Sequence, residues 1–509
     1  MPGGRLRSHD RFTPQVPSLL KVASIRALEE RWLASLPAGE LMRRAAIALA
    51  DEADRLLRTL PRARAVLALV GPGNNGADAL LAALALVERG YSCHAIALSP
   101  TPPKSADATA AWSRWQAAGR EIGALDSLDT MLAGSPLVID GLFGIGLGRP
   151  LVGAAASAIS QINARASAIV AVDVPSGIDA DRGSIVGGRN AVAVCATSTV
   201  TMIADKPGLH TGQALDHVGH VVIAELHHDL LPPTPDALLF GEREARALLA
   251  PRSRDTNKGS FGSVGVIGGA QGMSGAALLA ARGAQAAGAG KVFIAAPDAA
   301  VFDPAQAQLM TRALSDAYTG VDALCVGCGL GSSEQAAQAL KTALQAPLPL
   351  VLDADALNLL CTQPDLVPIL RARTHATVLT PHPLEAARLL KRSIIKVQTD
   401  RQQSALELAT SYRCCVILKG AGSIIATEQR KIVICASGSA ALATAGTGDV
   451  LAGVIATLLA QARPSDQAAM LGTALHGLAG ERWERGHPNG IGMSAADLPD
   501  LIRQAFNAN

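Results

Sequence analysis

Aromatic residues are scarce in this chain: 509 residues include 4 Trp, 3 Tyr and 7 Phe, too few for the stacking platforms that carry single-stranded nucleic acid. An excess of one charge is missing too. The 45 basic side chains nearly cancel 43 acidic ones, leaving +2, so the basic footprint of a nucleic-acid-binding protein is excluded and a small neutral or anionic ligand stays open. Eight cysteines are too sparse for a disulfide scaffold, which points to a reducing, cytoplasmic setting. No apolar run approaches the ~20 residues of a membrane-spanning helix, and charges interrupt the stretch after the basic start, where an export signal needs its apolar segment. A soluble protein with no membrane partner is expected.

What the chain has in abundance is 49% hydrophobic residues and 49 Gly, arranged in two series. Residues from Ser24 to Leu60 show helical spacing and lead into the strand-like run Ala65 to Val70. Further strands are predicted at Tyr91 to Leu98, Leu137 to Ile139, Ala168 to Val172 and Val221 to Ala224, with Ala-rich helices between several of them. A prolyl stretch and a charge cluster then interrupt the periodicity, which places a boundary near Pro232 to Pro235. The second series has strands at Phe261 to Ile267, Lys291 to Ala295, Ala323 to Val326, Leu348 to Leu352, Ala376 to Leu379 and Cys415 to Leu418. A hairpin follows from Ser423 to Cys435, and then a helical tail from Gly446. The expected organisation is two α/β domains, residues 17–230 and 231–509, with a linker around 231–252. At its length the chain has room for them.

In the first series the loop GPGNNGADA, beginning at Gly71, lies between a strand and a helix. There, backbone N–H groups and the positive helix end can receive phosphate; the same loop reads equally as a turn satisfied by its own Asn side chains. Asp140 and Asp173 each follow an apolar strand, at the carboxyl ends where open α/β sheets place ligand chemistry. Asp173 can also serve as a cap, and Gly144, Gly146 and Gly148 can simply permit a tight loop. Asp140 is the acid/base candidate, because a carboxylate at a strand end can exchange protons with a ligand within direct or one-water reach.

GPGNNGADA, DGLFGIG and DVPSGIDADRG, in this order, resemble the first domain of the bifunctional NAD(P)H-hydrate repair enzymes, which epimerises damaged nicotinamide rings. The resemblance implies a Rossmann-like three-layer domain. It assigns Asn74, Asn75, Gly76, Ala77 and Asp78, together with Gly144, Ile145, Gly146, Leu147, Gly148, Arg149 and Pro150, to the hydrate. Asp173 is assigned to a substrate contact, and Asn75, Asp140 and Ser176 to a potassium ion. Oxygen ligands of that kind suit a hard cation. The sequence departs from the usual NNGGDG at Ala77 and Ala79, which puts the packing of the loop in question.

In the second series AGTGDVLAG, Ala445 to Gly453, bends three residues, Gly446, Thr447 and Gly448, around the start of an apolar helix, leaving amides to meet an anion. Asp449 either caps that helix or deprotonates a hydroxyl that attacks a nucleotide phosphate. KGAGS, running Lys419, Gly420, Ala421, Gly422, Ser423, supplies a cation and a hydroxyl. Neither segment is a Walker A loop. Cys325 and Cys328 have CxxC spacing, but the absence of a second such pair argues against zinc. Asp353 and Asp355, at a strand end, are further polar candidates or helix caps.

With NKGSFG these motifs resemble the ribokinase-like superfamily, and TPHPLEAARLL narrows the resemblance to its NAD(P)H-hydrate dehydratase branch. Hydrate contacts then carry over to Ala276, Gly331, His382 and Asp449, and nucleotide contacts to Lys419, Gly420, Ala421, Gly422, Ser423 and Gly448. His382 can instead cap a turn, and Leu384 departs from the usual HPGE. The implied function is repair of NADHX and NADPHX: epimerisation of the R and S forms, then dehydration of the S form with ADP, or ATP, accompanied by Mg2+. A homo-oligomer is expected. The competing readings are a small-molecule kinase fused to a ligand-binding domain and a nonenzymatic nucleotide sensor.

Overall fold

The computed structural model describes residues 16–60, 65–103, 105–227, 234–298 and 301–508; Pro232 and Pro233 of the expected boundary lie outside these. Two compact units emerge. One is Ser18–Ala237 with Gln398–Arg401, and the other contains Leu238–Val397 and Gln402–Asn509. The expected linker region is not irregular throughout: Ala237–Phe240 forms a strand and Glu242–Ala247 a helix. The strand, ALLF, is only four residues long and the helix, EREARA, is short and mostly charged, so neither stands out in a hydropathy pattern.

The first unit is built on seven parallel strands: β1 (Ala65–Val70), β2 (Ser92–Ala97), β3 (Ile122–Ala124), β4 (Leu137–Gly141), β5 (Ala168–Val172), β6 (Ser198–Met202) and β7 (His220–Ala224), in the spatial order β3-β2-β1-β4-β5-β6-β7. Strand side chains alternate between faces. Val66, Ala68 and Val70 of β1 therefore join one buried core, while Leu67 and Leu69 join another, giving helix, sheet and helix layers. The helical region expected from Ser24 to Leu60 is in fact two helices, α1 (Val22–Leu33) and α2 (Glu40–Leu57). Pro37 and Gly39, the latter at φ +76°, divide them. Along α2, Leu41, Ala45, Leu49, Ala53 and Leu56 are buried at intervals of three and four, the spacing that keeps one helical face on the sheet. α3 (Asn74–Glu88) follows β1 and α4 (Gly153–Arg165) precedes β5. β6 was not apparent in the hydropathy because its sequence is STVTM. All five residues are buried, and Ser198 and Thr199 donate their hydroxyls to the carbonyls of His220 and Val218 at 2.8 and 2.7 Å.

The second unit's strands are β8 (Ala237–Phe240), β9 (Ser263–Ile267), β10 (Lys291–Ala295), β11 (Met310–Thr311), β12 (Ala323–Val326), β13 (Leu350–Leu352), β14 (Thr377–Leu379), β15 (Cys415–Leu418), β16 (Ile424–Ala426) and β17 (Ile432–Cys435). Their order is β8-β17-β16-β15-β14-β13-β12-β9-β10-β11. β16 runs antiparallel to both neighbours, the expected hairpin. The anticipated strand from Phe261 begins only at Ser263, after the helical turn Lys258–Phe261, whose Asn257 side chain accepts from the Gly259 N–H. Val264, Val266, Cys325 and Val351 join one core, and the intervening Leu324, Val326, Leu350 and Leu352 are also buried. Both faces are covered.

Against this sheet lie α5 (Ser274–Ala286), α6 (Asp355–Thr362), α7 (Pro383–Leu389), α8 (Thr447–Ala460) and α9 (Ser465–Gly486). α5 and α8 meet almost backbone to backbone: a Cβ on Gly453 would come within 1.9 Å of the Ala280 carbonyl oxygen, and one on Gly283 within 2.4 Å of that of Val450. Small residues thus fix the seat of α8, and with it the Asp449 carboxyl.

Candidate active sites

In the first unit the chain leaves β1 toward β2 on one side, while β4 pairs on the other, so the loops after β1 and β4 part at a topological switch point. They are pressed together there. A Cβ on Gly71 would lie 1.8 Å from the Leu142 carbonyl oxygen, and one on Gly144 would lie 2.4 to 2.7 Å from the Asn75 carboxamide. Asn75 Nδ2 donates to the Val172 carbonyl at 2.7 Å, tying the start of α3 to the end of β5.

Asp140 has no exposed surface. Its Oδ1 accepts from Ser176 Oγ at 2.7 Å and from the Leu142 N–H at 3.2 Å, and its Oδ2 accepts from the Ser176 N–H at 2.9 Å. Burial pushes its carboxyl up to about 6 against the pull of these donors. The structure thus gathers Asn75, Asp140 and Ser176 around the β4–β5 ends. A carboxylate from Asp140 with the neutral side-chain oxygens of Asn75 and Ser176 is an all-oxygen set of the kind that suits a hard cation.

Asp173 stands at φ +67°, a backbone strain for a non-glycine residue. It is held by a side chain that the motif reading missed. Lys206, with no exposed surface, directs Nζ to Asp173 Oδ1 at 2.6 Å, to Thr201 Oγ1 at 2.6 Å and to the Met202 carbonyl at 3.1 Å. Its only sequence signal is a lysine placed just after a strand, in IADKPG. Asp78 is 9% exposed, and its Oδ1 has no hydrogen-bond partner among the described residues. Burial, then the Asp173 charge, raises its carboxyl well above the ordinary range.

The remaining residues assigned to the hydrate divide. Gly76 is buried and Asn74 is exposed, its Oδ1 accepting from Ser105 Oγ at 3.2 Å. Ile145 and Leu147 pack on two separate small cores, while Gly146, Gly148, Arg149 and Pro150 are exposed. The departures from NNGGDG at Ala77 and Ala79, which put the packing of the loop in question, leave both methyls buried. Ala77 packs with Ala108 and Ala111, and Ala79 belongs to the core under α2.

The second unit has its own switch point, between β9 and β12. There the Gly269 N–H donates to the Cys328 carbonyl at 3.0 Å and the Ala270 N–H to that of Gly329 at 2.7 Å. The Gly331 N–H donates to Asp355 Oδ2 at 2.8 Å, so Asp355 orients this loop as well as opening α6. A Cβ on Gly329 would meet Ala276 at 3.1 Å, which places Ala276 against the same loop. Ala354, between Asp353 and Asp355, sits at φ +48° and ψ −114°, a strained conformation that turns the two carboxylates apart.

Lys419 Nζ donates to Asp353 Oδ1 at 2.7 Å, and a Cβ on Gly448 would lie 3.0 Å from that Nζ. The expected nucleotide residues Lys419 and Gly448 are therefore neighbours. Ser423 Oγ donates to the Gly420 carbonyl at 3.1 Å, closing the KGAGS turn over Ala421 and Gly422. Asp449, in the first turn of α8, is pushed up to about 6 by burial and by the negative charge of Asp353. His476 on α9, also missed from sequence, supports this end: Nε2 lies 3.0 Å from the Thr447 carbonyl, and burial lowers the imidazole to about 4, so it is a neutral donor. His382 does cap a helix. Its Nδ1 accepts from the N–H groups of Leu384 and Glu385 at 3.2 Å, and its own N–H donates to Glu385 Oε2 at 2.8 Å. The ring is half-exposed at 46%, so capping leaves it accessible. Leu384 is 44% exposed and does not distort the turn. Burial raises the Glu385 carboxyl to about 7. Cys325 and Cys328 are buried with sulfurs 3.9 Å apart, and all eight cysteines are free.

Each unit is thus an α/β protein of the enzyme type, with carboxylates collected at strand ends beside a glycine-rich turn. A family model described as NAD(P)H-hydrate dehydratase matches residues 264–504, and one described as YjeF-related protein N-terminus matches residues 38–208. The bifunctional NAD(P)H-hydrate repair enzyme Nnr of Mycobacterium tuberculosis is 39% identical over 452 residues, covering 88% of this chain and 90% of its own. That of Coxiella burnetii is 34% identical over 464 residues, covering 89% and 92%. Among solved structures, the ADP/ATP-dependent NAD(P)H-hydrate dehydratase of Bacillus subtilis, co-crystallised with ATP/Mg2+, is 29% identical. It covers 52% of this chain and 95% of its own, with a TM-score of 0.45. The chain belongs to the bifunctional NAD(P)H-hydrate repair enzymes, with a Rossmann-like first domain and a ribokinase-like second one. Among the described residues no helix is long and apolar enough to cross a membrane.

Proposed function

We propose that this chain repairs NADHX and NADPHX by two reactions, epimerising the R and S hydrates in residues 17–230 and dehydrating the S form with ADP in residues 231–509. The observation that carries this reading is that two separate carboxylate constellations, around Asp140 and around Asp449, occur in one chain of this family.

In the second site the hydrate's hydroxyl attacks the terminal phosphoryl group of ADP while Asp449 accepts its proton. Lys419 and the amides at the start of α8 face the phosphates, and Mg2+ accompanying the nucleotide would supply positive charge against theirs. Transfer makes the hydroxyl oxygen a phosphate ester, a good leaving group, and releases AMP; the carbon–oxygen bond then breaks with loss of phosphate while the neighbouring ring carbon gives up a proton to solvent, which restores the ring double bond, so ADP is converted to AMP and phosphate. Ala276, Gly331 and His382 line the hydrate side. In the first site Asn75, Asp140 and Ser176 would hold a potassium ion, which supplies a fixed positive charge beside the ring. Both Asp140 oxygens are already hydrogen-bonded, which favours its anchoring role over direct proton exchange. The Asp78 carboxyl, whose Oδ1 has no hydrogen-bond partner among the described residues, is the better-placed proton donor, with Asp173 bonded to Lys206 near it.

The test supplies purified protein with separated R and S hydrates and ADP or ATP, and follows reduced nicotinamide, AMP and epimer exchange. Conversion of neither hydrate would overturn the reading. Phosphorylation of an unrelated stable alcohol without hydrate conversion would favour the fused small-molecule kinase instead.

A further inference from the structure

The CxxC pair has no place in the chemistry just described, yet it lies within it. One donor atom each of Cys328, Asp353 and Asp449 falls within 4.8 Å of the others. Cys328 has no exposed surface, and its Sγ is 3.9 Å from that of the equally buried Cys325. The loop that carries it leaves no freedom to withdraw. Gly327, at φ +122°, would place a Cβ 1.9 Å from the Asp353 carbonyl oxygen, and Gly329, at φ +61°, would place one 2.6 Å from that of Met273. The Cys328 carbonyl is itself held by the Gly269 N–H. The sulfur is thus clamped from both sides while it faces two carboxylates.

We propose that Cys328 is a positioning residue for the dehydratase half: its thiol donates a hydrogen bond to the Asp449 carboxylate, and the Cys325 thiol donates in turn to the Cys328 sulfur. This rests on the reading of Asp449 as the proton acceptor. The chemistry of the surroundings fixes the direction of the bond. A thiolate beside two carboxylates is disfavoured, and burial together with Cys325 keeps the Cys328 thiol far above its ordinary titration range, so the sulfur carries a proton and can only donate to an ionised neighbour. Among the described residues the groups that bear most on Asp449 are Asp353 and Asp355 after β13, Lys419 after β15, and Cys328 after β12, while the neutral His476 on α9 bonds to Thr447 rather than to the carboxylate. Lys419 is already engaged by Asp353. The thiol is then the side-chain donor that favours the ionised, proton-accepting form of Asp449 against its desolvation.

The experiment compares pH profiles of kcat/KM for S-hydrate dehydration with ADP in the native protein, Cys328→Ala and Cys328→Ser, with ADP affinity measured on each to show that the nucleotide side is intact. Cys328→Ala should move the acidic limb upward by roughly half a unit to one unit, because Asp449 loses a donor. Cys328→Ser, which keeps an O–H, should return the limb to its native place or below it. An unmoved limb in Cys328→Ala, or the same shift in both variants, would overturn the proposal. Should Cys328→Ala fail to fold, Cys328→Ser alone decides, since a limb above the native one contradicts donation from this position. Failure of the underlying reading looks different: the native protein itself would then show no ADP-dependent dehydration.

Discussion

Lys206 Nζ lies 2.6 Å from Asp173 Oδ1, with the lysine wholly inside the first unit and the aspartate 7% exposed. Removing one partner of such a pair leaves an uncompensated charge in the interior, at a cost of about 3–5 kcal/mol. Lys206→Met is therefore expected to lower the denaturant midpoint of the first unit markedly and to abolish epimerisation. The double variant Lys206→Met with Asp173→Asn should recover much of the stability and none of the activity. Recovery of activity in the double variant would show that the pair only holds the fold.

Gly144 faces the Asn75 carboxamide with no space for a methyl. Gly144→Ala must displace Asn75 or the loop that carries residues 144–150. Epimerisation is expected to fall by about tenfold or more, with a weakened response to added potassium, while dehydration of pure S hydrate stays at the native rate. Parallel assays on the two substrates check this, and equal loss of both activities would contradict it.

Asp449 has its carboxyl raised to about 6 by burial and by Asp353. Below that pH it is protonated and cannot accept the hydroxyl proton, so the dehydration rate should rise with pH through about 6. The sign for stability is opposite. Between the ordinary carboxyl value of 3.8 and about 6 the folded protein holds a proton that the unfolded chain has released, so this group's contribution to stability declines as pH rises through that window. Asp449→Asn should consequently reduce dehydration by about 10²- to 10⁴-fold and yet melt no lower than the native protein at pH 8. A melting point several degrees lower would mean that the ionised Asp449 is itself a structural anchor.

Asp78 and Asp140 separate proton transfer from anchoring in the first site. Asp140→Asn should weaken potassium dependence and epimerisation together, because it alters the charge bonded to Ser176. Asp78→Asn, which removes an acid without a hydrogen-bond partner for Oδ1, should lower epimerisation while leaving the potassium requirement unchanged. Potassium titrations of both variants provide the measurement. An unchanged potassium response in Asp140→Asn would remove it from the ion's ligands.

Much of this molecule is legible in its sequence because parallel strands buried on both faces read as short apolar runs, and their carboxyl ends are marked by Asp140, Asp173 and the glycine turns. The Ser198–Met202 strand escaped because its hydroxyls satisfy themselves on neighbouring carbonyls, which no hydropathy pattern records. Lys206 and His476 were hidden for a related reason. Each acts on a residue far away in the chain or on backbone brought near only by folding, as when Lys419 and Asp353, 66 residues apart, meet at 2.7 Å. The methyls of Ala77 and Ala79 show the reverse: residues that looked disruptive in a motif turn out to face the core.

The most direct measurement gives R hydrate alone, with ADP and potassium, to the native protein and to Asp140→Asn, and follows reduced nicotinamide and AMP. The native protein should convert R hydrate fully, one AMP per reduced nicotinamide, well beyond an enzyme-free blank. Asp140→Asn should be unable to use R hydrate but should still consume S hydrate. If the native protein leaves R hydrate untouched, or if Asp140→Asn consumes it at the native rate, the assignment of two complementary reactions to two sites is wrong.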